Sequence, residues 1–230
     1  MHVAGSQTQQ NHKPMKPNII APPPWKLTGE GIVLLYHFPK EFNQQYGFME
    51  SYQREGYKAG LGAVLLVEYK TADVGPYFEL LYIPGIFCIG GKLTFSISRI
   101  FVSTYDSVWN GRENWGIPKE MADFTSVKRP NGERVYEVEV NGQLICEAHV
   151  KPWSPAIPFS NKLIPCTRIV QQHQGQLLLT RPIASGHMRL ASLRHMATDA
   201  AFFPPLHQLK PLAALSIPGF LMTFPSPEVL

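Results

Sequence analysis

Cysteine is scarce in this chain, with three residues in 230, at Cys88, Cys146 and Cys166. They lie far apart and form no C-x-x-C pair, which excludes a disulfide framework and a dithiol redox centre as the basis of the fold. An odd number of thiols, with no apolar h-region near the N-terminus, points to reduced cysteines that fill core positions in a cytoplasmic protein. The eight histidines contain no H-x-x-x-H or H-x-H pair, so no metal site is expected. Long hydrophobic runs are also missing. None approaches the ~18 apolar residues of a transmembrane helix, so no membrane partner is expected. Charge of one sign never accumulates either. Lys/Arg runs stop at pairs such as Lys128-Arg129, and the net charge of +4 is small and scattered. Nucleic acid is therefore not an expected partner. Nothing repeats at a solenoid period.

The residues that are present describe a globular protein. Hydrophobic content of 44% against 17% charged residues supplies a large interior. The length suits one domain. Residues 1–20 are polar and read as a flexible N-terminal tail, closed by Pro22-Pro23-Pro24. Residues 21–230 read as the domain. Its 21 prolines and 18 glycines, spread among short apolar runs, favour a β-rich fold.

Strands are expected at Gly31–Phe38, Leu61–Tyr69, Tyr77–Ile83 and Lys92–Thr104, the last alternating Leu93, Phe95, Ile97 and Phe101 with Thr94, Ser96 and Ser98. Further strands follow at Met121–Lys128, Leu177–Thr180 and His187–His195. Arg134–Val140 and Leu144–Val150 form a hairpin about Asn141-Gly142, which suits the two positive-φ positions of a type I′ turn. Helix is sparse: a short helix or loop over Pro39–Met49, a helical turn at Tyr105–Asn110 and a short helix around Ala213. Ser185-Gly186-His187 reads as a turn. The fold class is mainly β: an antiparallel sheet curved into a cone or barrel-like double sheet, with a central apolar cavity and a few short helices.

The chemistry concentrates in Gly111-Arg112-Glu113-Asn114-Trp115-Gly116-Ile117-Pro118-Lys119. A surface lysine needs no such setting, whereas one that must be held still and partly dried does. A lysine at its ordinary pKa of ~10.4 is almost wholly ammonium at neutral pH. Desolvation disfavours that form and releases a nucleophilic amine able to make a Schiff base with a ketone. Glu79 sits on a strand among Phe78, Leu80, Leu81 and Tyr82. A carboxylate there must find a partner or hold its proton. A core arginine, Arg99 or Arg112, is one partner, and an acid–base role is the other reading. Arg112 and Glu113 either contact substrate or brace the loop that aims Lys119.

The lysine segment resembles the active-site block of the acetoacetate decarboxylase family: Gly-Arg-Glu, a short aromatic or glycine-containing spacer, then Pro-Lys. Gly75-Pro76-Tyr77-Phe78-Glu79 resembles the family's Gly-x-Tyr-x-Glu block, with Glu79 forty residues before Lys119. Pro22-Pro23-Pro24-Trp25-Lys26-Leu27 and Phe224-Pro225-Ser226-Pro227 resemble its first and closing segments. The resemblance implies a cofactor-free carbon–carbon lyase acting on a keto acid, with Lys119 as Schiff-base nucleophile and Glu79 as active-site acid. Arg112, Glu113 and Trp115 are then the expected substrate-binding residues. It also implies aldol or dehydration chemistry as the enzymatic alternative and suggests a homo-oligomer. Three positions depart from the pattern. Glu120 stands where well-known decarboxylases carry a second lysine. Thr28-Gly29-Glu30-Gly31 offers no arginine. Val64 stands near an expected acid, although Glu68 lies on the same strand. A binding module with the same cavity and a purely structural subunit are the non-enzymatic readings.

Overall fold

The computed structural model describes residues 16–163 and 167–230. The first half of the chain runs through β1 (Trp25–His37), α1 (Lys40–Tyr46), α2 (Ser51–Gly56), β2 (Tyr57–Ala59), β3 (Leu61–Thr71), β4 (Tyr77–Ile83), β5 (Ile86–Ile89), β6 (Lys92–Phe95), β7 (Arg99–Val102) and α3 (Tyr105–Trp115). The second half adds β8 (Lys119–Met121), β9 (Asp123–Lys128), β10 (Arg134–Val140), β11 (Gln143–Pro152), β12 (Ile157–Ser160), β13 (Ile169–His173), β14 (Gln176–Thr180), β15 (Ile183–Thr198), β16 (Ala213–Phe224) and β17 (Glu228–Val229). The larger sheet has the order β8-β7-β4-β3-β1-β16-β15-β11-β10-β9, with β12 on β15. The smaller has the order β17-β14-β13-β6-β5-β2. Pairing is antiparallel except at β7–β8 and β6–β13.

Side-chain alternation along the central strands creates two interiors. Ile32, Leu34 and Tyr36 of β1 and Val64 and Leu66 of β3 project to one face, where each is 2% exposed or less. They pack with Tyr136, Val138, Ile145 and Ala148 of β10 and β11. Those strands stand far from β3 in the sheet order, so the large sheet must curl on itself to bring them together. Phe78 on β4 stacks on Phe124 of β9, with ring centroids 5.8 Å apart, and marks the same closure. The opposite faces of β1, β3 and β4 look toward the smaller sheet and α3, and that side holds the cavity.

Several local expectations hold. Tyr77–Ile83 is β4, and the hairpin turns at Asn141 (φ 52) and Gly142 (φ 76). Others change. Lys92–Thr104 is two strands in different sheets. The chain crosses between them at Ser96 and Ile97, where the Gln171 side-chain oxygen accepts from Ser96 Oγ at 2.7 Å and from Ile97 N–H at 2.9 Å. Met121–Lys128 is likewise divided, between β8 and β9. Ala213 begins strand β16 instead of a helix, because β1 and β15 pair with it on both sides. Pro218 within it falls at register shifts in both pairings, where its missing N–H is tolerated. The expected turn at Ser185-Gly186-His187 is strand, paired with β12 and β16. Of the thiols, Cys146 is buried and Cys88 half-buried, while Cys166 lies outside the described residues.

The tail expected over residues 1–20 lies outside the described residues as far as residue 15. From Asn18 onward the chain is tied to α3. Asn18 N–H donates to Asp106, and the Asn110 amide bridges Ile19 O and Ala21 N–H. Among the described residues no helix is long and apolar enough to cross a membrane.

The curled core carries much of the stability. Leu34→Ala, at a fully buried position, is expected to destabilise the protein by about 2–5 kcal/mol. Leu190→Ala, at a position 45% exposed, should change stability by less than about 0.5 kcal/mol. Urea unfolding of the two variants measures both.

Candidate active site

Helix α3 sets the geometry of the lysine. It starts at Thr104, whose hydroxyl accepts from Ser107 N–H, and it ends at Gly116, whose φ of 66° suits glycine at a helix C-terminus. Gly116 N–H donates to Arg112 O and Ile117 N–H to Gly111 O, closing the last turn. The first half of the lysine segment is therefore helix, and it extends the turn expected at Tyr105–Asn110. Ser107, Gly111 and Trp115 recur every four residues and are all buried, so they share the inward face. Arg112 and Glu113 fall between them and are exposed.

After Pro118 the chain enters β8, which pairs in parallel with β7 through Ile100 and Lys119. The Lys119 side chain runs back across α3 at Gly111. A Cβ there would sit 2.6 Å from Lys119 Cδ and 2.9 Å from Cε. Glycine is needed at this position for room, because the lysine stem occupies the space of its missing side chain. Arg112 Nε donates to the Lys119 main-chain oxygen at 2.8 Å and fixes the strand from outside.

Lys119 is 3% exposed and Glu79 4%. Lys119 Nζ lies 3.1 Å from Glu79 Oε2 and donates to Ser107 Oγ at 2.9 Å. Tyr77 Oη is 3.4 Å from the same nitrogen, and the Tyr77 ring centroid 4.8 Å. Glu79 Oε1 accepts from the Tyr69 hydroxyl at 3.1 Å. Both carboxylate oxygens are thus engaged, and a buried pair of charges is tolerable only under that condition. Burial, and then the nearby Glu79 charge, push the Tyr69 and Tyr77 phenols well above the usual tyrosine range. Both remain protonated hydroxyls around the pair.

Lys119, Glu79, Tyr77 and Tyr69 line a cavity of about 470 Å³. Its walls are Trp25 and Leu27 of β1, the cavity-facing residues of β3 and β4, Trp115 of α3, and Phe95 and Ile169 from the smaller sheet. Trp115 is wedged edge-on between Trp25 and Phe224, with centroids at 4.8 and 4.9 Å.

Of the residues singled out in the sequence, Lys119, Glu79 and Trp115 meet at the cavity. Arg112 and Glu113 do not line it. Arg112 holds the lysine strand, and Glu113 lies 3.8 Å from His173 Nε2. Helical spacing turns both away from the face that carries Ser107 and Gly111. Glu79 pairs with neither candidate arginine, since Arg99 is bonded to Glu120 outside the cavity. Glu68 projects from the far face of β3 toward Lys70 and Arg134. Sequence reasoning missed Ser107, Tyr69 and Tyr77 as partners of the pair. A signal existed for two of them. Tyr77 stands two residues before Glu79 on one strand face, and Ser107 stands one helical turn before Gly111. Among the described residues no group of His, Cys, Asp or Glu could hold a metal ion.

The sequence profile of the acetoacetate decarboxylase (ADC) family matches residues 17–187. Among solved structures, the acetoacetate decarboxylase of Legionella pneumophila superposes with a TM-score of 0.67 at 13% identity, covering 99% of this chain and 98% of that one. An acetoacetate decarboxylase-like enzyme from Sphingomonas wittichii RW1 gives 0.66 at 10% identity, covering 92% and 94%. The enduracididine biosynthesis enzyme MppR, complexed with pyruvate, gives 0.61 at 14% identity, covering 92% and 91%. At these identities the likeness is one of fold. None of the curated proteins matches the chain by sequence.

Two measurements test the site independently of any substrate. Glu79→Leu strands a buried ammonium and is expected to destabilise the protein by about 3–5 kcal/mol, whereas the double variant with Lys119→Met recovers most of that loss. Denaturant unfolding of the singles and the double reads the difference. The buried phenols also give a pH dependence of known sign. The folded state keeps protons on Tyr69 and Tyr77 that the unfolded chain releases above about pH 10, so stability falls as pH rises through that value. Urea midpoints between about pH 9 and pH 11 should drop, and less steeply in Tyr69→Phe.

Proposed function

The chain belongs to the acetoacetate decarboxylase family, and from that membership and the geometry of the site we propose that it is a carbon–carbon lyase that decarboxylates a keto acid through a Schiff base on Lys119. One observation carries this reading: a buried amine 3.1 Å from a buried carboxylate, in the wall of an apolar cavity. A lysine that only braced the fold would not need a cavity in front of it.

The sequence of steps follows from the contacts. Lys119 Nζ hands a proton to Glu79 and attacks the ketone carbon of a 3-oxo acid. Glu79 returns that proton to the carbinolamine oxygen, then carries a second from the nitrogen to the same oxygen, which leaves as water, and a protonated imine remains. Its nitrogen draws in the electron pair of the breaking C–C bond as CO2 departs. The resulting enamine is protonated on carbon by a proton taken up from solvent water, with Glu79 the nearest group to relay it. Water then hydrolyses the imine, releasing the ketone and the free amine. The protein supplies no metal or organic cofactor in this scheme; the imine nitrogen is the electron sink.

Ser107, Tyr77 and Tyr69 hold the amine and the carboxylate in register for these proton transfers. Arg112 acts as a positioning residue through the Lys119 main chain, and Trp115 as a wall for the substrate. Pyruvate, held by MppR, is itself a keto acid, which supports that ligand class. A second reading is aldol or dehydration chemistry through the same imine. The MppR structure with a condensation product of pyruvate and imidazole 4-carboxaldehyde favours it. Release of CO2 from a trapped substrate separates the two readings.

Borohydride reduction in the presence of a keto-acid panel, followed by peptide mass mapping, is expected to place the adduct on Lys119. Lys119→Arg should abolish it. Gly111→Ala, which displaces the lysine stem, should lower trapping by at least about ten-fold with the secondary structure retained, a loss equivalent to about 1.4 kcal/mol in the transition state. An adduct on another lysine, or none with any keto acid, overturns the imine.

A further inference from the structure

The charged and phenolic groups of the cavity gather in one place, and Asn161 and Thr167 are the other polar residues of its described lining. Lys119, Glu79, Tyr77 and Tyr69 cluster there, each 6% exposed or less. Away from that cluster the wall turns apolar along β3 and β4. On β4, Glu79 is followed on the same face by Leu81 and Ile83. On β3, Leu65 and Ala63 stand in register beside those two residues, and Val33 and Leu35 of β1 stand beside them in turn. The stretch ends at Leu61, which is 46% exposed and marks the mouth. From Glu79 to Ile83 is four residues of strand, about 13 Å at the rise of an extended chain.

The channel therefore has a reactive polar head, deep inside, and an apolar tail that opens to solvent. Of the described residues lining it, Lys119 is the one cation. The Asn161 side chain is already committed, its amide donating to Pro182 O and its oxygen accepting from Ala184 N–H, both at 2.9 Å. The volume of about 470 Å³ holds on the order of fifteen groups the size of a water or methylene, each taking ~30 Å³. A four-carbon keto acid would leave most of that length empty, with apolar walls facing nothing.

We infer that the substrate is a 3-oxo acid whose ketone carbon carries an extended apolar chain, bound carbonyl first with the chain lying along Leu81, Ile83, Leu65, Ala63 and Leu35 toward the mouth. The product is then a long-chain methyl ketone. This rests on the Schiff-base reading for the chemistry, and on the shape and lining of the channel for the chain. Each methylene moved from water to that wall contributes about four-fold in affinity, the equivalent of ~0.8 kcal/mol.

Methyl ketones are stable and form the product imine, so they serve as probes. Cyanoborohydride trapping with ketones of three, five, seven and nine carbons should need about four-fold less ketone for half-maximal labelling of Lys119 with each added methylene. Ala63→Phe, which blocks the tail, should lower the nine-carbon to five-carbon labelling ratio by at least about ten-fold; if that variant fails to fold, the wild-type series stands alone as the test. Labelling of Lys119 with equal ease across the series overturns the apolar tail and leaves the imine intact. If no ketone labels Lys119, the imine fails, and the tail is decided by the same ketones displacing a fluorescent apolar probe from Lys119→Met. Affinity rising with chain length supports the channel, and flat affinity overturns it.

Discussion

Everything about the polar part of the cavity depends on one ion pair kept out of water. Moving an ammonium or a carboxylate from water into a protein interior costs several kcal/mol each, and their mutual attraction repays that only with good geometry and satisfied lone pairs. The surroundings of Lys119 and Glu79 meet those terms. Ser107 and Tyr77 surround the nitrogen, and Tyr69 takes the carboxylate oxygen that the lysine leaves over. Each of these groups comes from a different element, α3, β4 or β3, so the pair exists only when the large sheet and α3 are assembled. The site is in this sense a product of tertiary structure, although its two charges stand in short local blocks.

The cost of the pair is offset elsewhere. On the far face of β1 and β3, Ile32, Leu34, Val64 and Leu66 are almost wholly buried against β10 and β11. That core has no role in the cavity, and it lets the cavity-facing side of the same strands stay under-packed. A void with apolar walls forfeits dispersion contacts on one side, so it persists only where packing behind it is dense. The curl of the sheet therefore does two things: it builds the core, and it holds open a space on the other face.

How much of this was legible in the sequence depends on how local each signal is. Lys119 and Glu79 could be picked out because a lysine after Pro118 and a glutamate among Phe78, Leu80 and Leu81 are each odd in their immediate setting. The Asn141-Gly142 hairpin was legible for the same reason, as its turn chemistry is complete within two residues. Lys92–Thr104 misled because alternation continues through the crossing, and only Gln171, some seventy residues away, reveals where the chain leaves one sheet for the other. The strand at Ala213 was hidden by Pro218, whose tolerance comes from register shifts in both neighbours. The role of Gly111 is spatial and is visible only once Lys119 is laid across it.

The two faces of β1 and β3 also differ in how freely their residues can be exchanged. Leu34 and Val64 touch neighbours on all sides, so a change of volume there is felt as a cavity or a clash. Leu35 and Ala63 face open space, and a change there alters the shape of the channel before it alters the fold. The head of the cavity lacks that freedom, because Gly111, Ser107, Tyr77 and Tyr69 are each held by contact with Lys119 or Glu79. A single scaffold of this kind can keep one amine and one acid in place while its tail is resized by point substitutions that barely affect stability.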